Sequence, residues 1–249
     1  ENLDNVLSLM TKDCFMTSVD LKKAYYSVMI APSSRKYLKF FWDGQLWQYC
    51  SLPNGLSCAP RVFTRIMKTL FSVLRERGAD CVFYIDDSIF VDSLYDNCKS
   101  HTAHARHVLE SAGFRIHETK SVMDPTQSIT FLGFILNSRT MTVSISQVKI
   151  DKLQSMVNEL LCSDRVVIER LAQVIGFIIS CMRAFQYGRL HYRGLELDKV
   201  NGLKRGSYKS KVILSDYARE DLRWWYSNAA KPGAPIRYDD YQFEIFTDA

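Results

Sequence analysis

The sequence predicts an α+β fold, and three observations carry that prediction. Strand and turn signals crowd the chain up to about residue 145, and apolar residues recur at helical spacing from Ser146 onward. The composition, 47% hydrophobic and 24% charged over 249 residues, is that of an ordinary folded protein and excludes a disordered or fibrous chain. The length holds one large domain or two or three small ones. Leu171 to Met182 is the longest nearly apolar stretch; it is too short to cross a bilayer, and no membrane partner is expected. No starting Met and no charged-then-apolar leader reads as a signal peptide. Seven scattered cysteines without a Cys-x-x-Cys pair fit reduced thiols in an intracellular protein, with nothing to separate cytoplasm from nucleus.

Taken in order, Phe15 to Asp20 is a short strand. Lys39 to Cys50 is a hairpin turning at Asp43-Gly44, because Asp-Gly supplies the backbone that tight hairpins need. Pro60 opens a helix, where its missing N–H costs nothing. Val62, Phe63, Ile66, Met67, Leu70, Phe71 and Leu74 form its apolar face, Arg61, Arg65 and Lys68 lie on its other side, and Gly78 ends it. That basic stripe reads as a solvated face or a phosphate track. Cys81 to Asp92 is strand, turn, strand. A helix around 95–112 stops at Gly113, and strands follow near 114–117, 129–136 and 141–145. Leu153, Met156, Val157, Leu160 and Leu161 share a helix face; further helices cover roughly 166–184 and 215–229. The boundary between the mixed half and the helical half falls near residue 140. Pro232 to Pro235 reads as a linker, and Phe243 to Asp248 as the start of a new strand.

The net charge of +5 is unevenly spread. Arg183 to Lys211 carries eight Lys/Arg against Glu196 and Asp198, a net +6, so the rest of the chain sums to −1. Phe185, Tyr187, Tyr192 and Tyr208 are interleaved with these cations. The stretch suits phosphates and stacked bases, or is a solvated, flexible connection.

The chemistry concentrates at residues 82–91. Asp86 and Asp87 stand between two strongly apolar strands, where paired like charges need compensation. An exposed hairpin tip would supply water; a bound cation would use both as hard oxygen ligands. Asp20, at the end of an apolar strand, favours the second reading. Two metal ions about 4 Å apart need several carboxylates from different strands, and such a site suits in-line phosphoryl transfer.

Around these acids the sequence resembles the reverse transcriptases. Asp20-Leu-Lys-Lys-Ala-Tyr25 is similar to their motif A, Leu52-Pro-Asn-Gly-Leu-Ser-Cys-Ala-Pro60 to motif B, and Tyr84-Ile-Asp-Asp87 to motif C. Gly113-Phe-Arg-Ile followed by Lys120-Ser resembles motif D, and Phe131-Leu-Gly-Phe134 motif E, the primer grip. The look is that of retrotransposon and pararetrovirus polymerases. Tyr187-Gly-Arg-Leu-His-Tyr-Arg193 and Asp221-Leu-Arg-Trp-Trp225 resemble the DIRS-type tyrosine-recombinase retroelements in particular.

The resemblance implies a right-hand polymerase with an antiparallel-sheet palm, partial fingers and a helical thumb. Residues 1–140 would be palm with partial fingers at 33–53, and 141–205 the thumb. Residues 206–240 would be a connection helix and linker, and 241–249 the truncated start of a ribonuclease H domain. It implies an RNA-directed DNA polymerase extending a primer 3′-hydroxyl with deoxynucleoside triphosphates on an RNA or DNA template. Asp20 and Asp86, with Asp87 assisting, would bind two magnesium ions, with manganese as a substitute. Tyr25 would gate the sugar, with Asn54, Gly55 and Tyr84 beside the substrate. Lys120 would donate a proton to pyrophosphate, and Phe131, Leu132, Gly133 and Phe134 would grip the primer. Asn54 replaces the glutamine common in retroviral enzymes and reaches less far. Asp248 matches the first ribonuclease H acid, but without the rest of that domain no activity is expected from it. With only 19 residues before Asp20, the early fingers are absent, and a fragment of a longer polyprotein is expected.

Two other classes are weighed against this. A catalytically inactive nucleic-acid-binding remnant is opposed by the intact acids, while the missing fingers argue for low activity of this fragment. An RNA-directed RNA polymerase is opposed by Ile85, where those enzymes carry glycine. Cys98, His101, His104 and His107 recur every three residues, but on a helix Cys98 and His107 face opposite sides, against a zinc site. Cys58 reads as buried packing, and on spacing alone Tyr84, Phe131 and Phe134 read as core aromatics.

Overall fold

A computed structural model describes residues 1–231 and 233–236. The chain forms two compact units. The first comprises Glu1–Leu132 with Ser138–Thr140, and the second Gly133–Asn137 with the chain from Met141 onward. The expected strand from Phe243 to Asp248 lies outside the described residues.

In the first unit the elements are α1 (Leu3–Leu9), β1 (Phe15–Asp20), α2 (Pro32–Arg35), β2 (Lys39–Trp42), β3 (Gln45–Gln48), α3 (Ala59–Glu76), β4 (Asp80–Tyr84), β5 (Asp87–Asp92), α4 (Tyr95–Ser111), β6 (Val122–Thr126) and β7 (Ser128–Phe131). An antiparallel sheet runs β4-β5-β1-β6. The apolar stripe of α3 (Phe63, Met67, Phe71, Leu74) packs with Ala105 and Leu109 of α4 onto Val19, Phe83 and Phe90 of the sheet. This is the 3.6-residue pattern of the sequence made physical, with Val62 alone turned toward solvent. A buried hydroxyl pair, Thr17 with Thr102, ties β1 to α4.

The β2–β3 hairpin turns at Asp43-Gly44, both at positive φ, as a two-residue turn requires. Every residue of its two strands is exposed.

Several expectations need correction. Residues 114–117 form a single bridge, Leu21 with Ile116, while the fourth strand of the sheet is β6. Asp124 and Pro125 hide β6 from sequence patterning; as an edge strand it tolerates a proline. The run 129–136 breaks at Leu132 (φ 48°) and Gly133 (φ 76°). Helix α1 was not signalled by periodicity; a reciprocal capping box between Asn2 and Asn5 starts it.

The second unit contains β8 (Phe134–Asn137), β9 (Thr142–Ser144), α5 (Gln147–Leu161), β10 (Val166–Val167), α6 (Ile168–Cys181), α7 (Arg193–Arg205), β11 (Lys211–Val212), α8 (Asp216–Asn228) and β12 (Ala234–Pro235). Leu153, Val157, Leu171, Ile175, Leu222 and Trp225 are central to its core. The basic stretch is not a flexible connection: α7 lies within it, and β11 starts at its last residue. Nor are the residues at Pro235 a free linker, because Ala234 and Pro235 pair with Val143 and Thr142. Among the described residues no helix is long and apolar enough to cross a membrane.

Two segments singled out by resemblance meet in this unit. Trp225 Nε1 donates to the His191 carbonyl, and Trp224 stacks on the His191 ring at 4.3 Å. Asp221, 1% exposed, accepts from the Gly194 N–H at 2.9 Å and lies 3.8 Å from His191 Nδ1. Burial pushes the Asp221 carboxyl above its ordinary range, with the Gly194 bond and His191 opposing. A carboxyl raised in the folded state contributes stability that is full below the unfolded value near 3.8 and lost as pH rises past the folded one. Asp221→Asn keeps an acceptor for Gly194 and removes the charge. Its thermal midpoint should therefore gain on wild type between pH 4 and pH 7, as followed by circular dichroism; a constant difference across that range contradicts the burial argument.

Candidate active site

The antiparallel pairing of β1 with β5 fixes the site. It sets Asp20, the last residue of β1, directly opposite Asp87, the first of β5. Asp86 occupies the two-residue turn between β4 and β5, and its carbonyl accepts from the Leu21 N–H at 3.0 Å. Three carboxylates thus gather at one end of the sheet. Ile85, the first turn residue, has φ 56°, a conformation disfavoured for a β-branched side chain.

Asp20 is held from both sides of its peptide. Its N–H donates to Ser121 Oγ at 3.0 Å, and its carbonyl accepts from the His117 N–H at 2.8 Å. Lys120, between these two, places Nζ 4.0 Å from Asp20 Oδ2 while its side chain stays 64% exposed. Ser121 and His117 were not foreseen as functional residues. The one sequence signal was the place of Ser121 directly after Lys120.

Burial, followed by the charges of Asp86 and Asp20, pushes the Asp87 carboxyl up to about 6, and Lys120 offsets part of this. The cluster therefore carries repulsion that a cation would relieve. All its donors are hard oxygens, which suits magnesium or manganese. The acids share one end of the sheet without forming a ready-made cage: among the described residues no three His, Cys, Asp or Glu side chains converge on a single ion position.

Beside the acids lies a cleft of about 140 Å³ lined by Lys23, Ala24, Tyr25, Tyr26, Asn54, Ile85 and Asp86. Tyr25 stands edge-on to Phe63 of α3, with ring centroids 5.3 Å apart, so the helix core props its ring. Burial raises the Tyr25 phenol, and Asp86 and Tyr84 add to it. Tyr26 also lines the cleft and is 42% exposed. Gly55, after Asn54, sits at φ 86°, where a side chain would be strained.

Other candidates lie outside the cleft lining. Tyr84 is 44% exposed and pairs in register with Asp87, so it is not a core aromatic. Cys58 is exposed at the start of α3 rather than buried. Phe131 is buried in the first unit, and Phe134 packs on the core of the second. The unit boundary runs between Leu132 and Gly133. Neither Phe131 nor Leu132 lines the cleft. Cys98 is buried against Thr17, and His101 lies 3.6 Å from Asp92.

Asp87→Asn mimics the protonated carboxyl and retains a donor toward Asp20. In chelating buffer at pH 7.5 it should raise the thermal midpoint by a few degrees, at about 2–4 °C per kcal/mol for a chain of this size. The wild-type carboxyl contributes fully below its unfolded value of 3.8 and loses that contribution as pH rises through about 6. The advantage of the variant should accordingly vanish below pH 4. An equal midpoint at pH 7.5 would show that the three charges do not repel as described.

The sequence profile of the reverse transcriptase (RNA-dependent DNA polymerase) family matches residues 2–136. The chain is 32% identical over 136 residues to the retrovirus-related Pol polyprotein from transposon gypsy of Drosophila melanogaster, covering 53% of this chain and 12% of that protein. It is 27% identical over 143 residues to the Pol polyprotein of Feline endogenous virus ECE1, covering 53% and 14%. The chain thus spans a small part of these curated relatives. Its fold is similar to the foamy viral protease-reverse transcriptase solved in complex with RNA/DNA hybrid, with TM-score 0.73, 17% identity, and coverage of 94% of this chain and 29% of that one. The same foamy viral protein in complex with dsDNA gives TM-score 0.72 at 17% identity, covering 97% and 47%. The profile takes in the sheet, all three clustered acids and the cleft, and by that match the chain belongs to the reverse transcriptase (RNA-dependent DNA polymerase) family.

Proposed function

We propose that this chain is the polymerase part of a retroelement polyprotein and extends a primer 3′-hydroxyl with deoxynucleotides on an RNA or DNA template. The observation that carries this reading is the placing of Asp20, Asp86 and Asp87 at one end of the sheet, with Asp86 lining the Tyr25–Asn54 cleft. In this reading residues 1–140 are palm with partial fingers at 33–53, 141–205 the thumb, 206–240 a connection, and 241–249 the start of a ribonuclease H domain. The finer kinship with DIRS-type elements rests on Tyr187–Arg193 and Asp221–Trp225.

Asp20 and Asp86, with Asp87 assisting, would hold two divalent ions. Bound there, magnesium supplies activation of the 3′-hydroxyl and charge stabilisation at the phosphates. The chain's own groups do the rest. Asn54 offers hydrogen bonds to the incoming nucleotide, and Gly55 and Tyr84 flank the same site. Lys120 Nζ carries the proton for departing pyrophosphate. Phe131, Leu132, Gly133 and Phe134 guide the primer. Tyr25 sets its ring against the sugar. A deoxyribose fits against that face, while a 2′-hydroxyl is overpacked or left without a partner, each worth about 1–3 kcal/mol.

Asp20→Asn or Asp86→Asn, in the protein that carries this chain, should abolish primer extension while leaving template–primer affinity within a few-fold. Near-wild-type extension by either variant in magnesium sinks the assignment. Tyr25→Val should raise ribonucleotide relative to deoxyribonucleotide incorporation by roughly 100-fold, the equivalent of about 3 kcal/mol. A parallel fall of both activities would make Tyr25 a packing residue and leave the gate to Tyr26.

A further inference from the structure

The face of α3 opposite its buried stripe carries Arg61, Arg65 and Lys68 at spacing i, i+4 and i+7, all exposed. With Pro60 and Thr64 they line an open surface depression of about 510 Å³. Among the described residues no carboxylate pairs with any of the three; the ion pairs of the first unit use other residues. The first turn of α3 has no acid, and its one acidic residue, Glu76, sits at the far end and accepts from Ser72.

This order of charges works against the helix. A cation in the first turn faces the positive end of the helix dipole, and like charges one turn apart repel. A face chosen only for solubility and stability would carry acids there and alternate its signs. Three unpaired cations along one exposed helix face instead match a row of phosphates. From Arg61 to Lys68 the helix rises about 10 Å, and each strand of a duplex presents a phosphate every 3.4 Å or so of helix axis, so the stripe spans several phosphates. In sequence the stripe also starts only a few residues beyond Asn54, which lines the cleft.

We propose that Arg61, Arg65 and Lys68 form a phosphate track that holds the phosphodiester backbone of the nucleic-acid strand entering the cleft. The inference rests on the polymerase reading and adds to it a binding surface outside the acid cluster. Single-stranded and duplex nucleic acid share this chemistry, and the test separates them.

Binding of this chain to a fluorescent single-stranded DNA and to a blunt DNA duplex is measured by anisotropy across a salt series. Arg61→Gln/Arg65→Gln/Lys68→Gln should flatten the slope of log affinity against log salt by about 2 on the single strand or about 3 on the duplex. The probe that responds identifies the bound form. The thermal midpoint of the variant should equal or exceed that of wild type, because the repulsion along α3 is gone. Arg61→Lys/Arg65→Lys should keep the wild-type slope. An unchanged slope on both probes overturns the track, as does a wild-type chain that binds neither. A lowered midpoint in the triple Gln variant also overturns it, by making the stripe structural. Failure of the polymerase reading shows separately, as primer extension surviving Asp20→Asn.

Discussion

The pairing of β1 with β5 is the constraint on which the rest depends. Their register brings Asp20 and Asp87 face to face, and the tight turn before β5 adds Asp86. Like charges so close oppose folding, so the surrounding structure must hold them by other means. It does so with backbone: Ser121, His117 and Leu21 clamp the peptides on either side of the acids. Behind them, Val19, Phe83 and Phe90 bury against α3 and α4, and that apolar contact offsets the electrostatic cost at the strand ends. The site is strained locally and supported globally, as positioning of a charged substrate demands.

The same core sets the geometry of the cleft. Phe63 belongs to the buried stripe of α3 and also meets the Tyr25 ring edge-on. The helix thus has one face in the core, one end at the cleft and a third side carrying cations. Packing, substrate contact and charge are distributed around a single element, so substitutions on α3 will act through whichever side they touch.

Much of this was legible in the sequence for particular reasons. Asp86 and Asp87 stand out because acids interrupt an apolar strand pair, and α3 because its stripe repeats at 3.6 residues. The Asp43-Gly44 turn announces itself by composition. What was hidden lacks such contrast. β6 contains Asp124 and Pro125, which read against a strand, and only its edge position permits them. α7 is masked by glycines and charge, and its first turn depends on Asp221, a carboxylate far along the chain. Ser121 carries no pattern at all; its role is a single hydrogen bond to Asp20 set by the tertiary fold. Cys58 faces outward because a helix start can be exposed even beside apolar neighbours.

The β2–β3 hairpin has an outcome of a different kind. Among the described residues its strands pair only with each other, and Phe41, Trp42, Leu46 and Trp47 stand at least half exposed. A lone two-stranded ribbon is marginal in water, and its outer edges offer unpaired backbone groups to any passing strand. During expression and concentration this hairpin is therefore the segment through which copies of the chain would stick together. Its backbone would also exchange deuterium readily and lie open to proteolytic cleavage.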